Sequence, residues 1–191
     1  MTGNTNSIGS GGMPWRLLLW GGAASLLLIP AVAMQFTSEV NWTTFDFLFA
    51  GAVIGGTGLI LELVFRMAGS WAYRAGAVLA LGAVVMLVWI NGAVGIIGSE
   101  RDGANLLYAG VIFTALIGTV LAGFRARGMV WAMAAAAVAT VAVPAIVWFL
   151  WPEAQPLLLA PEVPGATVVF AAVWLTAAAL FHRAARAEAA A

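Results

Sequence analysis

Long apolar runs, each closed by a short polar or charged link, fill the chain from Pro14 onward. Five of them, at residues 15–35, 44–66, 71–97, 104–124 and 130–151, hold about 20 residues each or more, enough for a helix to cross a hydrocarbon layer roughly 30 Å thick. A sixth, at 165–181, sits near the lower limit of length. The runs lack the strict alternation of a half-buried strand, and the predicted class is all-α: an integral membrane bundle of six transmembrane helices over residues 14–182. Residues 1–13, rich in Gly, Ser, Asn and Thr, read as a disordered cytoplasmic tail, and 183–191 as a short cytoplasmic C-terminal tail. Pro14 suits the first turn of the first helix, where a missing N–H costs nothing.

The links alternate in charge. Arg16, Arg66, Arg74, Arg125, Arg127, Arg183 and Arg186 fall at one set of helix ends. Glu39, Asp46, Glu100, Asp102, Glu153 and Glu162 fall at the other, with Arg101 the one arginine among them. Short loops rich in arginine stay in the cytoplasm, so this asymmetry predicts both termini inside. Trp15, Trp42, Trp71, Trp131 and Trp151 stand near predicted span ends, as an interfacial aromatic belt requires. Arg16, the apolar run 17–29 and Ala31-Val32-Ala33 imitate the three regions of a signal peptide, but an uncleaved first span is the expectation.

Composition sharpens this reading. The chain is 63% hydrophobic and 8% charged, with mean hydropathy +1.02. Soluble domains carry roughly a quarter charged residues, so too few polar side chains exist here to cover a surface in water. Cys is absent, which excludes disulfide scaffolds and thiolate-held zinc or iron–sulfur centres. Lys is absent too, which excludes a Schiff-base cofactor. The single His182 cannot form a histidine metal cluster, and it reads as a snorkelling side chain beside Arg183. No cofactor, metal or nucleic-acid partner is expected, and the chain leans away from catalysis.

A constant offset that lays Asp46 over Asn105 also lays Phe65-Arg66 over Phe124-Arg125, Gly69 over Gly128 and Val88-Trp89 over Val147-Trp148. Either one helical hairpin is used in tandem three times, or Ala/Gly/Leu/Val-rich helices match by chance.

The candidate site residues gather outside the bilayer centre. Glu39, Asp46, Asn91, Glu100, Asp102 and Asn105 form a candidate outer polar site, a mouth for a cation or polar solute. The competing reading makes Asp46 and Asn105 caps of the helices that follow them. In Asn91-Gly92-Ala93-Val94-Gly95-Ile96-Ile97-Gly98 the glycines recur every third residue; on a helix they would line one face for close packing, and in a broken helix they would expose carbonyls. Gly51, Gly55, Gly58, Gly76 and Gly82 suggest further small-residue faces. On the inner side Glu62 and Arg66, one turn apart, form a candidate ion pair, with Arg74 a second possible partner. The membrane centre holds only hydroxyls (Ser25, Thr57, Thr114, Thr140, Thr176), which argues against ion-coupled transport but not against a passive pore.

Met34-Gln35-Phe36-Thr37-Ser38-Glu39-Val40-Asn41-Trp42, running into Phe45-Asp46-Phe47, and the stretch from Asn91 to Asn105 resemble an uncharacterised family of small bacterial polytopic membrane proteins. The resemblance covers a minor part of the chain and implies an inner-membrane location; it carries no activity. Three functions remain open: a non-catalytic subunit or assembly scaffold of a membrane complex, packing on protein partners or a second copy through its Gly-rich faces; a passive channel or small-solute carrier with an acidic mouth; or a membrane enzyme using outer carboxylates.

Overall fold

The computed structural model describes residues 14–190, without the side chains of Pro14 and Trp15. The tail expected over residues 1–13, and Ala191, lie outside the described residues. The described chain is helical, with no strand. Its helices are α1 (Pro14–Ala33), α2 (Thr44–Met67), α3 (Trp71–Ala93), α4 (Leu107–Leu121), α5 (Ala126–Leu150), the one-turn α6 (Gln155–Leu158) and α7 (Glu162–Ala189), with short 3-10 turns at Gly103–Leu106 and Pro152–Ala154. Among the described residues six spans are long and apolar enough to cross a bilayer, the fourth joining the Gly103–Leu106 turn to α4. The protein is a multi-pass, all-α membrane protein.

It divides into two compact units. The first, up to Leu63, holds α1 and most of α2. Gly58 lets the Trp20 ring lie against α2: a methyl group added there would meet the indole at 3.4 Å. Trp20 Nε1 donates to Glu62 Oε2 at 3.1 Å, and the Arg16 guanidinium pairs with the other Glu62 oxygen. Both spans are long and apolar enough to cross a bilayer.

The second unit, from Val64 on, is a four-helix bundle of α3, α4, α5 and α7. α7 packs along both α3 and α5, α4 packs along α5, and α3 touches α4 sparsely. The buried residues follow the helical period: Ala77, Ala80, Ala83 and Leu87 on α3, Met129, Ala132, Met133, Ala136, Ala137 and Thr140 on α5. Such small side chains draw the backbones together, which is how helices associate where lipid removes the hydrophobic driving force. A methyl group placed on Gly118 of α4 would stand 2.8 Å from Ala132 Cβ, and one on Gly76 of α3 would stand 3.3 Å from Ala177 O and from Phe181. The sequence pattern pointed to Gly76 but not to Gly118. Gly51, Gly55 and Gly82 meet nothing within 4 Å among the described residues of the chain itself. Large side chains from α7, Phe170, Trp174 and Phe181, fill what the alanines leave.

Three boundaries differ from expectation. α3 stops at Ala93, because the Val94 and Gly95 N–H groups both close on the Ile90 carbonyl and Gly95 turns to φ +76°. Of the three glycines expected to line one helical face, Gly92 stays in the last turn of α3, while Gly95 and Gly98 lie in the loop that follows. α4 ends at Leu121, ahead of Gly123 at φ +55° and Phe124 at φ +58°. α7 begins at Glu162 and runs to Ala189, so the segment expected as a tail is the helix's last turns.

Under the offset that suggested a repeat, aligned residues occupy unlike local structure. Asp46 lies in the first turn of α2, while Asn105 lies in a 3-10 turn. Phe65 and Arg66 end α2 as helix, while Phe124 is left-handed and Arg125 precedes α5.

Candidate functional site

The polar residues at the acidic end are held first by their own turns. Thr43 and Asp46 form a reciprocal cap on α2: Asp46 Oδ2 accepts from the Thr43 N–H at 2.7 Å and the Thr43 hydroxyl at 2.8 Å, and the Asp46 N–H reaches Thr43 Oγ1 at 3.4 Å. Thr43 is thus the capping residue, and Asp46 is its partner inside the first turn rather than the cap itself. Glu39 is exposed and gives its N–H to Thr37 Oγ1 at 3.1 Å. Both belong to the first unit.

The second unit repeats the device at the link between α3 and α4. Asp102 Oδ2 accepts from the Ser99 N–H at 2.6 Å and the Ser99 hydroxyl at 3.1 Å, so Ser99 and Asp102 mirror Thr43 and Asp46. Glu100 lies exposed, 3.5 Å from Arg101 Nε. Across so much water this pair adds little.

Asn105 does something the spacing did not suggest. Its side chain caps no helix; it is 6% exposed and folds back into the loop. Oδ1 accepts from the Ile96 and Ile97 N–H groups, each at 2.9 Å, while Nδ2 donates to Ile97 O at 2.9 Å and Ser99 O at 2.7 Å. Ile96 and Ile97, 3% and 0% exposed, enter the core beside Tyr108 and Leu87. Their burial takes non-helical backbone away from water, and backbone amides so placed must find partners inside the protein. One carboxamide supplies four bonds. The signal was in the sequence, as an Asn a few residues beyond two isoleucines flanked by glycines, but only the fold shows the chain turning back onto it.

Deeper in the same unit, Asn91 Oδ1 and Trp174 Nε1 are buried with no hydrogen-bond partner among the described residues, and the Tyr108 hydroxyl is buried near them. Asn91 spends Nδ2 on Leu87 O at 2.8 Å. Tyr108 lies near Thr167, whose hydroxyl is bonded to Val163 O at 2.8 Å. Each contributes an acceptor or donor to an otherwise apolar interior, where such a group costs about 1–3 kcal/mol if left alone. Sequence reading placed Asn91 in the outer site and missed Trp174.

The inner candidate, Glu62, lies one turn before Arg66 on α2. The structure adds Arg16 and Trp20 from α1 as partners, which no local spacing could show. Thr114, Thr140 and Thr176 each return their hydroxyl to the carbonyl four residues earlier, at 2.7, 2.8 and 2.7 Å. Among the described residues no three or more His, Asp or Glu side chains gather closely enough to hold a metal ion.

Comparison with protein-family models, curated proteins and solved structures gives no match.

Proposed function

We propose that the chain is a non-catalytic subunit or assembly scaffold of a complex in the bacterial inner membrane, with both termini in the cytoplasm. The observation that carries this reading is the use of polar side chains at the acidic end. Asp46, Asp102 and Asn105 are all engaged with the backbone of their own turns, which favours a structural part over a reactive one. The apolar length of α1 and α2 supplies area for a neighbour in the bilayer. Orientation follows from arginine: the basic end of every span belongs inside.

The test is native mass spectrometry of the protein gently extracted from its own membrane. A second polypeptide at fixed stoichiometry supports the reading. A chain that emerges alone, and that passes small polar solutes when reconstituted into liposomes, overturns it.

A further inference from the structure

We propose that the basic end of the four-helix unit is a binding surface for anionic phospholipid headgroups. Ala72, Ala126 and Ala184 are 5%, 1% and 0% exposed and pack on one another, drawing the start of α3, the start of α5 and the end of α7 together. The Tyr73 hydroxyl donates to Phe124 O at 2.7 Å and ties the link between α4 and α5 to the same place. Tyr73 also meets the Phe181 ring edge-on at 5.0 Å.

This convergence gathers charge. Arg74, Arg125, Arg127, Arg183 and Arg186 all lie within a turn or two of the alanine cluster, and Glu188 is the acid in the same stretch of α7. Two guanidiniums are positioned by the protein. Arg183 stands 5.3 Å over the Trp71 ring, and Arg74 stands 5.6 Å over the Phe65 ring while its Nε donates to Ala68 O at 3.0 Å. A guanidinium carries five donors, so one ring contact or one backbone bond leaves most of its fork for a phosphate. Arg125, Arg127 and Arg186 are exposed.

A free phosphate would satisfy the charge alone, but the flanks argue for a lipid. Met67, Trp71, Leu121 and Phe124 are 75%, 62%, 82% and 57% exposed beside the arginines. Phosphate oxygens would meet guanidinium where acyl chains meet these apolar side chains. That pairing of a basic rim with an apolar wall is what a phospholipid presents in reverse. The proposal rests on the multi-pass fold and is independent of the scaffold reading.

The test compares retention of phosphatidylglycerol and phosphatidylcholine on the purified full chain, exchanged from mixed vesicles and read by native mass spectrometry. Phosphatidylglycerol is expected to be retained preferentially and to fall about fivefold for each arginine removed in Arg125→Gln and Arg127→Gln. Arg101→Gln, at the acidic end, should leave retention unchanged. Should the double variant not fold, Arg186→Gln on the last turns of α7 carries the same comparison. Equal retention of the two lipids overturns the proposal, as does an Arg101→Gln loss equal to that of Arg127→Gln. So does complete displacement of the lipid by inorganic phosphate, which would assign the site to a free anion.

Discussion

Asn105 holds Ile97 from both sides: its Oδ1 accepts the Ile97 N–H and its Nδ2 donates to the Ile97 carbonyl, each at 2.9 Å. The carboxamide thus pairs with the peptide group as a second backbone would. Replacing Asn105 with Ala strands the Ile96 and Ile97 amides and the Ile97 and Ser99 carbonyls, at roughly 1–3 kcal/mol for each that water cannot reach. Asn105→Ala should lower the Tm in detergent well below that of Leu106→Ala, whose side chain is 76% exposed. Asn105→Asp should fare no better, because its carboxylate would face two carbonyls. Tryptophan fluorescence on heating measures both; equal Tm values for Asn105→Ala and Leu106→Ala would remove the clamp.

Glycines should separate by backbone and space. Gly95, at φ +76°, has room for no side chain: a methyl group would stand 2.5 Å from the Ser99 carbonyl and 2.8 Å from Asn105 Nδ2. Gly95→Ala should destabilise by more than the ~1 kcal/mol of left-handed strain alone. Gly82, inside α3 with nothing within 4 Å, predicts the opposite sign: Gly82→Ala should leave stability unchanged or raise it by up to roughly 1 kcal/mol. Gly118→Ala, pressed against Ala132, belongs with Gly95. Unfolding curves in a denaturing detergent series rank the three.

The node of Arg16, Trp20 and Glu62 should behave as a unit. Arg16→Gln and Glu62→Gln are each expected to lower stability by about 0.5–1.5 kcal/mol, since the Arg16 side chain is 46% exposed and water screens the pair. The double variant should cost no more than the worse single change. Fully additive losses would mean that the two side chains do not act on each other.

Topology can be read with single cysteines, because the chain has none of its own. Glu100→Cys and Arg127→Cys place thiols on exposed positions at opposite ends of α4. A membrane-impermeant maleimide added to intact cells should label Glu100→Cys and spare Arg127→Cys until the membrane is opened. The reverse pattern would invert the orientation.

Asp46→Asn should keep the fold, since a carboxamide oxygen can accept from the Thr43 N–H as the carboxylate does. Its Tm should stay close to that of the parent, and a fall of more than a few degrees would give the negative charge a structural role that capping does not explain.

Much of this was written in the order of residues. Long uninterrupted apolar runs admit helices alone in lipid, because each backbone donor must close on its own segment. Arginine at alternate ends predicts an orientation, and Asp46 at the start of an apolar run suggests capping, which needs only its own turn to form. The remainder depended on residues far apart in the chain. The glycines from Gly92 to Gly98 read more readily as a helix face than as a break; Gly95 and Gly98 nonetheless fall in a loop, where Asn105 supplies the bonds that a helix would have supplied to Ile96 and Ile97. Likewise Glu62 has a local neighbour in Arg66, but Arg16 and Trp20 come to it across the packing of α1 on α2. Gly118 matters, and Gly82 does not, because Ala132 faces one and nothing faces the other. Local chemistry determines where helices run and stop turning polar; which side chains then meet is a property of packed backbones, and no spacing along one helix contains it.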